Sequence, residues 1–147
     1  LDQRFPDVAA ENRSYFLQSP EGAGLDRCFD ALLDLPCRRP EEKRHGLQFL
    51  ISIVVPYYVI YSVCGVADGD GGWARTVSFS CSEDEKELAA AVSEEIQRAF
   101  PGYTQLPLEM LRVQVPGIDT QSEHPATLLG CLFSDDWLGR DPDTIIT

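Results

Sequence analysis

Basic residues are scarce in the second half of this 147-residue chain. Residues 65–147 hold 15 acids against only Arg75, Lys86, Arg98, Arg112 and Arg140, a net charge of −10, whereas residues 1–64 hold 9 acids and 7 bases, a net of −2. A surface of that sign repels phosphate, which speaks against nucleic acid or an anionic membrane as partner and favours a basic protein. Long apolar runs are missing too. The longest, 49–55, falls far short of the ~18 residues needed to cross a bilayer. The first residues, Leu1-Asp2-Gln3-Arg4-Phe5-Pro6, hold no apolar stretch ahead of a small-residue cleavage site, so the expected compartment is the cytoplasm.

Chemical signatures are equally sparse. The five cysteines, Cys28, Cys37, Cys64, Cys81 and Cys131, contain no CxxC pair and are odd in number, which disfavours both a zinc site and a disulfide framework. They read as buried, unbridged thiols. The two histidines, His45 and His124, stand among charged or turn-forming neighbours and read as exposed and idle. Asp68-x-Asp70 lacks the further ligands of a calcium loop and reads as a hairpin turn. There is no phosphate-binding glycine loop and no HExxH, so the expectation is a protein without cofactor, metal or catalytic residue.

What the chain does contain is enough apolar material for one core: 44% hydrophobic and 10% aromatic residues. With ordinary turn punctuation and no repeat, this predicts a single α+β domain over 1–147, with N-terminal helices at about 6–35, sheet and helix over 46–134, and a loose tail over 138–147. The fold class expected is a mostly antiparallel sheet of about five strands with two or three packed helices. Helices are expected over 6–17 and 25–33, the second from Leu25, Cys28, Phe29, Leu32 and Leu33 and ended by Pro36. A charged connection, 38–45, leads to strands over 46–55 and 57–64, and Val77, Phe79 and Cys81 alternate in a third; these three form a meander. Ser82-Glu83-Asp84-Glu85 is a capping box opening a helix with Leu88, Val92 and Ile96 on one face, ended by Pro101-Gly102. A short helical turn over 106–110, a fourth strand from Leu111, Val113 and Val115, and a fifth over 127–133 complete the sheet.

Candidate contact residues follow from charge and aromatic character. Asp135-Asp136-Trp137 combines a potential anchor with a carboxylate rim, although Trp137 serves equally as a lid on the core. Glu83, Asp84 and Glu87 at the start of the capped helix, Asp119 and Glu123 after Val115, and Tyr58 join them as partner-binding candidates. Adjacent carboxylates such as Asp135 and Asp136 point to opposite sides of an extended backbone, which weakens a hydrolase reading.

The phrases Pro56-Tyr57-Tyr58-Val59-Ile60-Tyr61, Phe100-Pro101-Gly102-Tyr103 with Leu106-Pro107-Leu108-Glu109, Val115-Pro116-Gly117-Ile118 and Cys131-Leu132-Phe133-Ser134-Asp135-Asp136-Trp137 give the last two-thirds of the chain a resemblance to small bacterial immunity proteins. It is most similar to the myxobacterial swarm-inhibition type, encoded beside secreted polymorphic toxins. The resemblance implies a protein that is not an enzyme and that occludes the active site of one cognate toxin; the acidic charge adds the expectation that this toxin is basic and nuclease-like, and the chain is expected as a monomer or homodimer. It assigns no binding residues. Two other classes remain open: a secretion chaperone holding an effector segment, and a hydrolase using Asp135, Asp136 or a Cys/His pair.

Overall fold

The computed structural model describes residues 9–12, 28–67, 73–78, 81–118, 126–133 and 145–146. Its centre is a pair of long strands, β3 (Glu42–Ser52) and β4 (Tyr57–Ala67), joined by a tight turn and paired antiparallel with Gly46 opposite Val63 and Leu50 opposite Val59. β4 is largely apolar on both faces because both are covered, whereas β3 carries Gln48 and Ser52 on one of its covered faces. β2 (Cys28–Leu35) pairs with the far edge of β3, and β1 (Ala9–Asn12) with β2; β5 (Trp73–Ser78) pairs with the C-terminal half of β4. All these pairs are antiparallel, and β3–β4–β5 is the expected meander. Two short parallel additions finish the sheet: β6 (Thr104–Gln105) lies against the start of β4, and β7 (Ile145–Ile146) against β5. Together with two helices, the described strands make an α+β fold.

One face of the sheet is covered by α1 (Glu83–Ala99), whose Leu88, Val92 and Ile96 pack on Leu33, Leu47, Ile51, Tyr58 and Ile60. On the other face, Leu106, Leu111, Leu129 and Phe133 pack on Leu32, Leu50, Val59, Tyr61 and Val63. Leu106 and Leu111 flank a 3-10 turn (Leu108–Met110), Leu129 lies in the short helix α2 (Leu128–Leu132), and Phe133 is its C-cap. Burying each Leu, Ile or Val side chain contributes roughly 1.5–3 kcal/mol, so the two layers share the work of holding the sheet.

Several expected elements change identity. Residues 28–35 form a strand where an amphipathic helix was expected, and 9–12, expected as helix, form the edge strand. The positions 28, 29, 32 and 33 satisfy a helical stripe, but they also satisfy a strand covered on both sides: Cys28 and Leu32 enter one layer, Leu33 the other. Asp30 and Asp34, which look like the polar face of a helix, instead bond across the sheet to Gln48 and Arg44. The charged connection ends early, since β3 begins at Glu42. The expected fifth strand, 127–133, is α2, capped by Thr127, whose hydroxyl accepts the Gly130 amide at 3.3 Å. The expected fourth strand is reduced to a single bridge, Gln114 to Thr127, and Val113 projects into solvent. Of the third strand, Trp73–Ser78 is described, and Cys81, expected in it, stands outside any strand. Of the tail expected to be loose, the described Ile145–Ile146 is paired. The 106–110 turn and the capped helix stand where expected.

Gly46 shows why a glycine interrupts β3. A Cβ there would sit 2.4 Å from the Leu33 carbonyl oxygen, closer than real side chains approach backbone. Among the described residues no helix is long and apolar enough to cross a membrane.

Candidate functional site

The first turn of α1 is where the acidic half of the chain meets the sheet. The expected capping box forms there: Glu85 Oε2 accepts the Ser82 amide at 2.7 Å. The same carboxylate, only 2% exposed, then reaches into the sheet. Its Oε1 lies 2.7 Å from His45 Nε2 on β3, accepts Ser62 Oγ of β4 at 2.7 Å, and stands 3.5 Å from the Arg38 guanidinium. Arg38 Nη2 also donates to Ser82 Oγ at 2.5 Å. Burial pushes the Glu85 carboxyl up, but the Ser82 amide, then His45, Ser62 and Arg38, outweigh it and leave it below the ordinary carboxylate range.

His45, read from the sequence as exposed, is 5% exposed. It continues inward the odd-numbered series Leu47, Phe49 and Ile51, a signal present in the sequence but masked by the charged residues before it. Its Nδ1 lies 3.0 Å from the Pro36 carbonyl oxygen, so both ring nitrogens are engaged. Opposite it across the β3–β4 ladder stands Cys64. Burial, then Glu42, raises the Cys64 thiol above its ordinary range, which keeps it protonated and poorly nucleophilic. With no ring nitrogen left to serve as base, His45 and Cys64 do not form a nucleophile–base pair. Glu42 itself is held low, chiefly by the Arg38 amide at 2.6 Å, against the opposing effect of burial and with help from the Arg39 amide. The five cysteines form no disulfide; only Cys28 is fully buried, and Cys37 is exposed, contrary to the expectation of buried thiols throughout. Among the described residues no group of His, Cys, Asp or Glu has the geometry of a metal site.

The outward side of α1 carries a different pattern. Glu83, Glu87, Ala90 and Glu94 recur at i, i+4, i+7 and i+11 and are all exposed, with Asp84 beside them. Lys86 bonds Glu83 at 2.5 Å, and Arg98 bonds Glu95. At the C-terminal end of the helix a shallow groove of about 220 Å³ is lined by Phe49, Val92, Glu95, Ile96, Ala99 and Phe100. The β3–β4 turn, 53–57, lies at the same end of the sheet, tied to the chain leaving α1 by the Thr104 amide on Pro56 and by Tyr103 Oη on the Ser52 carbonyl. Ile53, Val54 and Tyr57 are exposed there.

Of the residues marked from the sequence, the structure brings Glu83, Asp84 and Glu87 together on the exposed start of α1. Tyr58 is a correction: it is 0% exposed, with its hydroxyl bonded to Ser93 at 2.5 Å and to Gln97 at 3.2 Å, so it ties α1 to the sheet and offers no surface. Alternation puts its neighbour Tyr57 outside instead. Asp119, Glu123, Asp135, Asp136 and Trp137 lie outside the described residues, as do His124 and the turn at Asp68 and Asp70. Comparison of the chain with protein-family models, curated proteins and solved structures finds no match.

Proposed function

We propose that this chain is an immunity protein that binds a basic protein toxin, with the outward carboxylates of α1 as its steering surface. The observation that carries the reading is the stripe Glu83, Glu87 and Glu94 with Asp84, on a helix whose inner face is spent on the core. Carboxylates fixed on a rigid helix create a local negative potential without needing to rearrange on encounter, and the net charge of −12 extends that field over the molecule. Such a surface accelerates association with a basic partner far more than it deepens affinity. Binding and occlusion require no catalytic group, in keeping with the engaged nitrogens of His45 and the protonated Cys64. The carboxyl-terminal acids Asp135 and Asp136, with Trp137, Asp119 and Glu123, belong to the same proposed acidic contact set by their sequence character.

The test is co-expression with a candidate basic toxin, scored by survival of the host, followed by association kinetics at increasing salt. Survival with a rate that falls steeply with salt supports the proposal; survival with a salt-independent rate keeps the partner and removes the role of α1. A second reading, a secretion chaperone for an effector segment, draws on the exposed apolar turn 53–57 beside the Phe49–Phe100 groove. Binding of an unfolded segment by a dimer would favour it, whereas a monomer in light scattering counts against it.

A further inference from the structure

Between the C-terminal half of α1 and β3 lies the groove of about 220 Å³, with Phe49 on its sheet side and Val92, Ile96, Ala99 and Phe100 on its helix side. Glu95 is the charged residue in that lining. The apolar surface runs on past the end of the helix. Phe100 meets Tyr103 with ring centroids 5.3 Å apart, Tyr103 Oη donates to the Ser52 carbonyl, and Ile53, next in the odd series after Phe49 and Ile51, is 43% exposed.

Size and charge together restrict what fits. The groove is smaller than the roughly 300–1,000 Å³ of a small-molecule pocket, and it suits one large apolar side chain of a protein partner, the kind of anchor that fills a desolvated pocket within an interface. Glu95 stands in its wall, the exposed Glu87 and Glu94 lie on the adjoining surface of the helix, and the C-terminal carbonyls of α1 add their partial negative charge at the same end. Arg98, on the same turn, bonds Glu95 in an exposed pair, which is weak enough for an incoming cation to replace. A second copy of the chain is a poor occupant, since it would set the same carboxylates face to face with a net charge of −12 on each molecule. An anionic lipid surface is repelled for the same reason.

We propose that the groove is the anchor pocket for a basic protein: it takes one leucine, phenylalanine or tryptophan side chain, while Glu94 and Glu95 hold a lysine or arginine beside it. This role presupposes that α1 meets a basic partner, and it supplies what carboxylates alone do not, a place where apolar area is buried. Steering by the acids sets the rate of encounter, and filling the pocket slows release.

The test titrates the intact chain with three blocked synthetic peptides, followed by amide chemical shifts. The first has Leu-Trp at its centre with lysines on both sides, the second replaces the lysines with glutamates, and the third keeps the lysines but replaces Leu-Trp with Ala-Ala. The first should move Phe49, Ile96, Ala99 and Phe100 and bind at least about tenfold more tightly than either of the others. Ala99→Lys should weaken it by about tenfold or more, whereas Ala90→Lys, an equal charge change on the outward side of α1, should weaken it by less than about twofold. Comparable binding of the glutamate peptide, shifts confined to Glu83, Glu87 and Glu94, or equal losses in the two lysine variants would overturn the pocket. So would concentration-dependent shifts at Ala99 and Phe100 without peptide, which would give the groove to a second copy. Should Ala99→Lys fail to fold, the three peptides on the wild type decide. None of these readouts involves a toxin, so failure of the pocket and failure of host protection are told apart.

Discussion

Glu85 does two jobs with one side chain, closing the cap of α1 and anchoring the helix to the sheet through His45 and Ser62. Removing its carboxylate leaves the Ser82 amide, Ser62 Oγ and His45 Nε2 without their shared partner, so Glu85→Ala should cost about 3–5 kcal/mol in urea unfolding. Its folded carboxyl lies below the ordinary range, so its contribution is present above the pH at which an unfolded glutamate titrates, about 4.3, and is lost as pH falls through the folded value. Acid unfolding of the wild type should therefore begin below that pH, and Glu85→Gln should flatten this part of the curve. Gly46 acts by absence: Gly46→Ala drives a methyl against the Leu33 carbonyl and should cost about 1–3 kcal/mol, read from the shift in thermal midpoint. Neither role is visible locally. A glutamate at the third helical position announces a cap, but nothing near it in sequence announces a histidine 40 residues earlier.

At the scale of elements, α2 depends on a single side-chain cap, and Thr127→Ala should weaken it by about 1 kcal/mol, measurable in denaturant melts. α1 was legible because several signals agree along one stretch: a capping box, acids in the first turn, an apolar stripe and Pro101-Gly102 at its end. The β3–β4–β5 meander was legible for the same reason, with alternation and turn residues pointing one way. β2 and α2 were not. Each is a short apolar run without decisive flanks, and a strand buried on two sides and a buried helix place apolar residues at indistinguishable spacings over eight residues or fewer. Gln48 and Ser52 illustrate the consequence. They read as the polar side of β3, yet both are buried, Gln48 bonding Asp30 and Ser52 bonding the Leu132 carbonyl, because a second layer covers that face.

Among the described residues, Glu83, Asp84, Glu87 and Glu94 of α1 are exposed, and the buried apolar residues form two layers around one sheet. If the proposed function holds, the double variant Glu87→Lys with Glu94→Lys should slow association with a basic toxin by about tenfold or more at low salt, with a much smaller change in dissociation, as read by stopped-flow or surface-binding kinetics. Of the candidate contact set, the helix acids were legible as surface from their spacing opposite Leu88, Val92 and Ile96. Tyr58 was not, because the covering of the β4 face by α1 is a fact of packing. The sequence by itself determined the sign and bias of the charge, the α+β class, the capped helix and the central meander, since each rests on composition or on neighbours a few residues apart. Only the tertiary structure decided that residues 28–35 are a strand, that 128–132 are a helix, and that His45 and Glu85 are buried partners. The physical reason is that a side chain's exposure is set by what lies across from it, and here those neighbours come from distant parts of the chain.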